Sequence, residues 1–266
     1  MPLTLMTVDA FTSEPFRGNP AAVCFLDGPK PDDWMQHVAA EMNLAETAFL
    51  LPEGDAFRLR WFTPTTEVPL CGHATLATAH ALWSTGRLGA DQEARFDTKS
   101  GRLTASRIGA RIQLNFPSIP VAPAPLPPDA LAALHAKPVA VSNTVDAEER
   151  NFVVELESEA AVRGLKPDFA ALRAFTRGFI VTARAASAPY DFVSRYFAGP
   201  FGVDEDPVTG SAHCSLTPYW SAKLGKTALV GHQVSARAGV VHVELKGDRV
   251  LLSGDAVTVL TGQLLV

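Results

Sequence analysis

Glu67 to Trp83 reads EVPLCGHATLATAHALW: an acid and a proline, then Cys71-Gly72-His73, then an almost wholly apolar run. The run predicts a helix from Gly72 to about Thr85, stopped by Gly86 at the first position beyond the helix. A helix that is apolar on every side belongs inside a protein. Glu205 to Trp220, EDPVTGSAHCSLTPYW, repeats the design. Its Glu205, Pro207, Gly210 and Ala212 keep the spacing of Glu67, Pro69, Gly72 and Ala74. Further pairs keep the same order. Arg60-Trp61-Phe62 and Arg195-Tyr196-Phe197 precede the two motifs, and Ser100 with Arg102 and Ser235 with Arg237 follow them. Arg111-Ile112-Gln113-Leu114 is answered by Arg249-Val250-Leu251-Leu252. A repeat about half the 266-residue chain long predicts a duplicated fold. Sites in such folds tend to lie between the halves, so the cleft between them is the expected site.

Apolar residues make up 47% of the chain, enough for two cores. The net charge of -5 and the absence of a basic run argue against a nucleic-acid partner. No apolar stretch reaches the ~20 residues of a membrane span. The N-terminal MPLTLMTVDAF lacks the form of a signal peptide, so a cytoplasmic location is expected. Cys24, Cys71 and Cys214 are odd in number and form no Cys-x-x-Cys pair, which argues against disulfides or structural zinc.

Short strands are expected through most of the chain, with a peripheral helix at Pro31–Met42 and another at about Pro167–Phe175. Residues 117–128 hold six prolines and read as a semi-rigid connector. The expected division is an N-terminal half at 1–118, a connector at 119–128 and a C-terminal half at 129–266. The last strand is free to cross back to the first half.

Glu46 stands in Asn43-Leu-Ala-Glu-Thr-Ala-Phe-Leu50. On a strand, Leu44, Glu46, Ala48 and Leu50 share one face. A carboxylate among apolar neighbours is costly unless paired or shifted in pKa, which is the setting of a general acid/base. The plainer alternative is a strand-end glutamate reaching solvent. Gly72 and His73 open the first apolar helix, and Gly210 and Ser211 open the second. Helix starts carry free N–H groups and the positive end of the dipole, so both suit anions. The alternative is that both glycines only permit tight turns. Asp206, before the second helix, either complements its dipole or contacts substrate. Cys71 at a helix start is a candidate low-pKa thiol, but its counterpart, Thr209, is not. Cys71 with His73, and His213 with Cys214, read as helix-start residues rather than metal ligands.

The chain resembles the phenazine-biosynthesis PhzF-like isomerase family, within the diaminopimelate epimerase-like fold. The resemblance rests on Phe11 with Gly18-Asn19-Pro20-Ala21-Ala22-Val23, on Asn43-Leu44-Ala45-Glu46-Thr47, on Cys71-Gly72-His73-Ala74-Thr75 and on Glu205 to Ala212. It implies an α+β fold of two pseudo-symmetric halves, each a barrel-like, mostly antiparallel sheet around a central helix. It implies Glu46 as acid/base and Gly72, His73, Asp206, Gly210 and Ser211 as substrate-binding residues. It also implies no metal or cofactor, and a homodimer. The related epimerases use one cysteine per half; Cys71 with Thr209 departs from that pattern. The expected activity is a cofactor-independent isomerase moving a proton between carbons of a small carboxylate-bearing substrate. The alternatives are a racemase or epimerase using Cys71, and a non-catalytic small-ligand-binding protein of the same fold.

Overall fold

The computed structural model describes residues 2–145, 150–199 and 202–265. Two compact units make up the chain: residues up to Asn115 joined by those from Ser253 onward, and Phe116–Leu252.

The first unit contains β1 (Leu3–Ala10), β2 (Asn19–Phe25), α1 (Asp32–Met42), β3 (Glu46–Glu53), β4 (Ala56–Phe62) and β5 (Glu67–Val68). It continues through α2 (Gly72–Ser84), β6 (Ala94–Thr98), β7 (Gly101–Ile108) and β8 (Arg111–Pro117), whose last two residues belong to the second unit. The second unit runs β9 (Val121–Pro123), α3 (Pro128–Leu134), β10 (Pro138–Thr144), β11 (Asn151–Leu156), α4 (Glu159–Gly164) and α5 (Phe169–Leu172). Then come β12 (Gly178–Arg184), β13 (Phe192–Ala198), β14 (Val203–Asp206), α6 (Gly210–Leu224), β15 (Ala228–Gln233), β16 (Gly239–Lys246) and β17 (Arg249–Gly254), whose last two residues belong to the first unit. The chain ends in β18 (Ala256–Leu264), which pairs antiparallel with β1 along its whole length. Among the described residues no helix is long and apolar enough to cross a membrane.

Strand pairing is the same in both units. In the first, β1 pairs antiparallel with β2, β2 parallel with β3, β3 antiparallel with β4, and β4 parallel with β6. In the second, β10, β11, β12, β13 and β15 pair in the same sequence of senses. Equivalent side chains make equivalent bonds. Arg60 grips Glu67 through two hydrogen bonds and Arg195 grips Glu205 likewise. The Ser100 hydroxyl donates to the Pro69 carbonyl, as that of Ser235 does to Pro207.

Side-chain alternation sorts the faces of each sheet. In the first unit Leu3, Leu5, Ala22, Cys24 and Phe49 pack with α1 through Met35, Val38 and Ala39. The opposite face, carrying Ala21, Val23, Ala48 and Leu50, is equally buried, and α2 packs on β1, β2, β3 and β18. Ala, Leu and Thr keep α2 compact, and its buried residues lie on every side, as its composition requires. The Thr75 and Thr78 hydroxyls donate to the carbonyls four residues back, so their burial leaves no orphan. Gly86 at φ +69° ends the helix. In the second unit Phe152, Val154, Phe179 and Val181 pack with α3, α4 and α5. From the other face Phe192 stacks on Trp220 of α6, whose indole N–H donates to Thr182.

Two expectations need correction. The helix expected at about Pro167–Phe175 shrinks to the four-residue α5, and a second short helix, α4, which was not expected, precedes it. Ser158 caps α4 by accepting from the Ala161 amide, and Asp168 caps α5 by accepting from Ala171. Each cap fixes a separate start. The proline-rich stretch is also held by the second unit. Pro218 lies inside α6 and has no N–H to give the Cys214 carbonyl. That carbonyl accepts from the Ile119 amide instead, and Val121–Pro123 pair with β10.

Candidate active site

Glu46 is the first residue of β3, level with Ala21 of the parallel β2. Alternation puts it on the face of Ala48 and Leu50, toward α2, and opposite Phe49. His73, in the first turn of α2, is buried and meets it: Nε2 lies 3.3 Å from Oε2 of Glu46, whose side chain is 19% exposed. The two are close but not aligned as a hydrogen bond, and Nε2 makes none among the described residues. Cys71 Sγ lies 3.5 Å from Nδ1 of the same ring. Burial pushes the His73 imidazole down to about 3, so the ring is neutral. The neutral ring carries its proton on Nε2, facing the carboxylate, when the Cys71 thiol donates to Nδ1, and on Nδ1 when that sulfur accepts.

Both central helices start open. Cys71 and Thr209 are N-caps whose side chains make no capping hydrogen bond to the helix amides, and neither first turn holds an acid. The amides at Gly72 and His73, and at Gly210 and Ser211, therefore keep their positive partial charge for an anion. The segments before the helices are tied to the sheets by ion pairs. Glu67, held by Arg60 and by Lys99, has its carboxyl kept below the usual range, with the Arg60 hydrogen bonds as the largest cause.

In the second unit Asp206 ends β14, half-buried, and accepts a hydrogen bond from the Thr209 hydroxyl. Gln233, fully buried, holds that segment. Its Oε1 accepts from the Thr209 amide at 2.9 Å, and its Nε2 donates to the Asp206 carbonyl at 2.7 Å and to Thr209 Oγ1 at 3.2 Å. Nothing in the sequence around Gln233 marks it. The structure thus groups Glu46, Gly72 and His73 in one unit, and Asp206, Gly210 and Ser211 in the other.

The repeat is broken where it matters most. Strand register makes Gly178 the counterpart of Glu46, since Thr47 pairs with Phe62 as Phe179 does with Phe197. A side chain cannot stand there: a Cβ on Gly178 would lie 2.5 Å from Asn151 Oδ1 and 2.5 Å from the Tyr196 hydroxyl. Tyr196 donates to Asn151 at 3.0 Å and closes the position. The chain has the acid once.

Residues 8–262 match the family model described as phenazine biosynthesis-like protein. The chain is 49% identical to an uncharacterized isomerase of Halalkalibacterium halodurans over 268 residues, covering 100% of both. It is 48% identical to an uncharacterized isomerase of Pseudomonas aeruginosa, covering 99% of both. Among solved structures it is similar to a phenazine biosynthesis PhzF-family protein of Enterococcus faecalis, with a TM-score of 0.93 at 40% identity and 100% coverage of both chains. The chain belongs to the phenazine biosynthesis-like PhzC-PhzF family and is an isomerase of the diaminopimelate epimerase-like fold.

Proposed function

We propose that the isomerase moves a proton between carbons of a small carboxylate-bearing substrate, with Glu46 as the acid/base. The observation that carries the reading is Glu46 Oε2 at 3.3 Å from the buried His73 Nε2, beside the open start of α2. A substrate carboxylate bound at the Gly72 and His73 amides brings its neighbouring carbon to that oxygen. Glu46 takes the carbon proton and returns it at the new position, while the neutral His73 N–H donates to charge that develops on the substrate. Asp206, Gly210 and Ser211 are proposed as the substrate contacts that the second unit offers.

The single copy of the acid, with Gly178 at its counterpart, favours one group that both removes and returns the proton. A two-thiol racemase lacks its second thiol at Thr209. Operation without a cofactor, a cytoplasmic location and a homodimer rest on the resemblance. Full activity after exhaustive chelation and dialysis, and the sedimented mass of the purified chain, test the first and the last; fractionation of the source cells tests the second.

Glu46→Gln keeps shape and hydrogen bonding but carries no proton. Turnover should fall by about 10²–10⁴ with the melting temperature unchanged, the loss lying in kcat. Near-native turnover in a normally melting variant would sink the assignment. Cys71→Ala should keep most of the turnover; near-total loss with folding intact would favour the racemase.

A further inference from the structure

We propose that Glu46, Cys71 and His73 also form an inhibitory site for a thiophilic divalent cation such as Zn²⁺. Each offers one ligand atom, and the three atoms all lie within 4.8 Å of one another. Thiolate, imidazole and carboxylate are the ligands zinc takes, and three protein ligands with a fourth position open is a usual catalytic-type arrangement. Zinc bond lengths of about 2.0–2.3 Å place tetrahedral ligand atoms roughly 3.4–3.6 Å apart. Cys71 Sγ to His73 Nδ1 is 3.5 Å and His73 Nε2 to Glu46 Oε2 is 3.3 Å. One ion takes one ring nitrogen, so one pair already stands at ligand spacing and the third residue closes by little more than about 1 Å.

A second observation points the same way. His73 is 5% exposed, and its Nε2 makes no hydrogen bond among the described residues, a costly state for a buried polar atom. An imidazole coordinates through the ring nitrogen that carries no proton, and the contact of Cys71 Sγ with Nδ1 gives way to coordination once the thiol has lost its own proton. Only the Cys71 thiol must lose one, which goes to solvent as the thiolate binds. Cys24 competes poorly, since burial pushes its thiol up to about 12, and among the described residues neither it nor Cys214 stands in a group of three possible ligands. Sequence order hides the site, because Glu46 comes from β3 and the other two ligands from the start of α2.

The inhibitory effect rests on Glu46 being the acid/base, since a carboxylate bound to a dication cannot carry the proton. The site itself does not depend on that. Metal-free enzyme is titrated with Co²⁺ and followed by absorbance, with Zn²⁺ as competitor. The native protein should bind one equivalent with a thiolate-to-cobalt charge-transfer band that Zn²⁺ abolishes, and turnover should fall with Zn²⁺ occupancy and return on chelation. Cys71→Ser should lose the band and bind Zn²⁺ more than ~100-fold more weakly, beyond the cost of losing an outer-shell partner. Cys71→Ala is carried beside it, with melting curves, so that one misfolded variant leaves the other. No band in the native protein, or a band that survives in either folded variant, overturns the site. Binding without loss of turnover overturns the inhibition. Failure of Glu46→Gln to slow metal-free turnover instead removes the isomerase assignment and leaves the cobalt result standing.

Discussion

At His73 the cost of burying a charge decides the protonation state, although a carboxylate stands 3.3 Å away. The same holds for His213, pushed down to about 4 by burial against a smaller opposing hydrogen bond to the Thr209 carbonyl. Both pKa values are depressed from an unfolded value near 6.5. Above about pH 6.5 neither state binds these protons and stability is flat on their account. As pH falls below that, the unfolded chain takes up two protons the native one refuses. Stability should then fall by about 1.4 kcal/mol per pH unit per histidine, until the native rings titrate. Urea unfolding between about pH 6.5 and 5 checks this, and His213→Gln should remove one proton's worth of slope. A pH-independent unfolding free energy across that window would refute it. Glu46 was legible in sequence because a lone acid among apolar alternating residues is conspicuous. Its contact with His73 was not, since alternation gives a face but not the neighbour packed upon it.

The starts of α2 and α6 have no side-chain cap, and at α6 the chain is held from behind instead. At α6 the holder is Gln233, which bonds Thr209 and Asp206 from β15. Gln233→Leu keeps the volume but leaves the buried Thr209 amide and Asp206 carbonyl unmade, at about 1–3 kcal/mol each. The melting temperature should drop, and the Thr209 amide should exchange with solvent faster. An unchanged melting temperature and exchange rate would show that water replaces the clamp without loss. The central helices were readable because apolar residues on every side leave one possible place for them. The short α4 was not, and α5 was read too long, because a capped helix of one or two turns is too brief to show a helical period. Nor was the docking of the proline-rich stretch. It depends on the carbonyl that Pro218 leaves free, and only the fold brings Ile119 to it.

The duplication was legible as spacing, and the structure repeats it as strand pairing and as the Arg60–Glu67 and Arg195–Glu205 grips. What the spacing hides is divergence, since Gly178 lies outside the motifs and looks like any turn glycine. Tyr196 and Asn151 fill the place where a second carboxylate would stand. This has a stereochemical consequence. A lone carboxylate that lifts a proton from one side of a flat, conjugated substrate can return it only to that side. The shift is then suprafacial, and any new stereocentre has a single handedness. In deuterated water, the fraction of turnovers in which the carboxyl proton exchanges with solvent before return should carry label at one diastereotopic position alone, as proton NMR of the product would show. Label spread equally over both positions would mean that protons arrive from two directions, and that a donor other than Glu46 serves the opposite face.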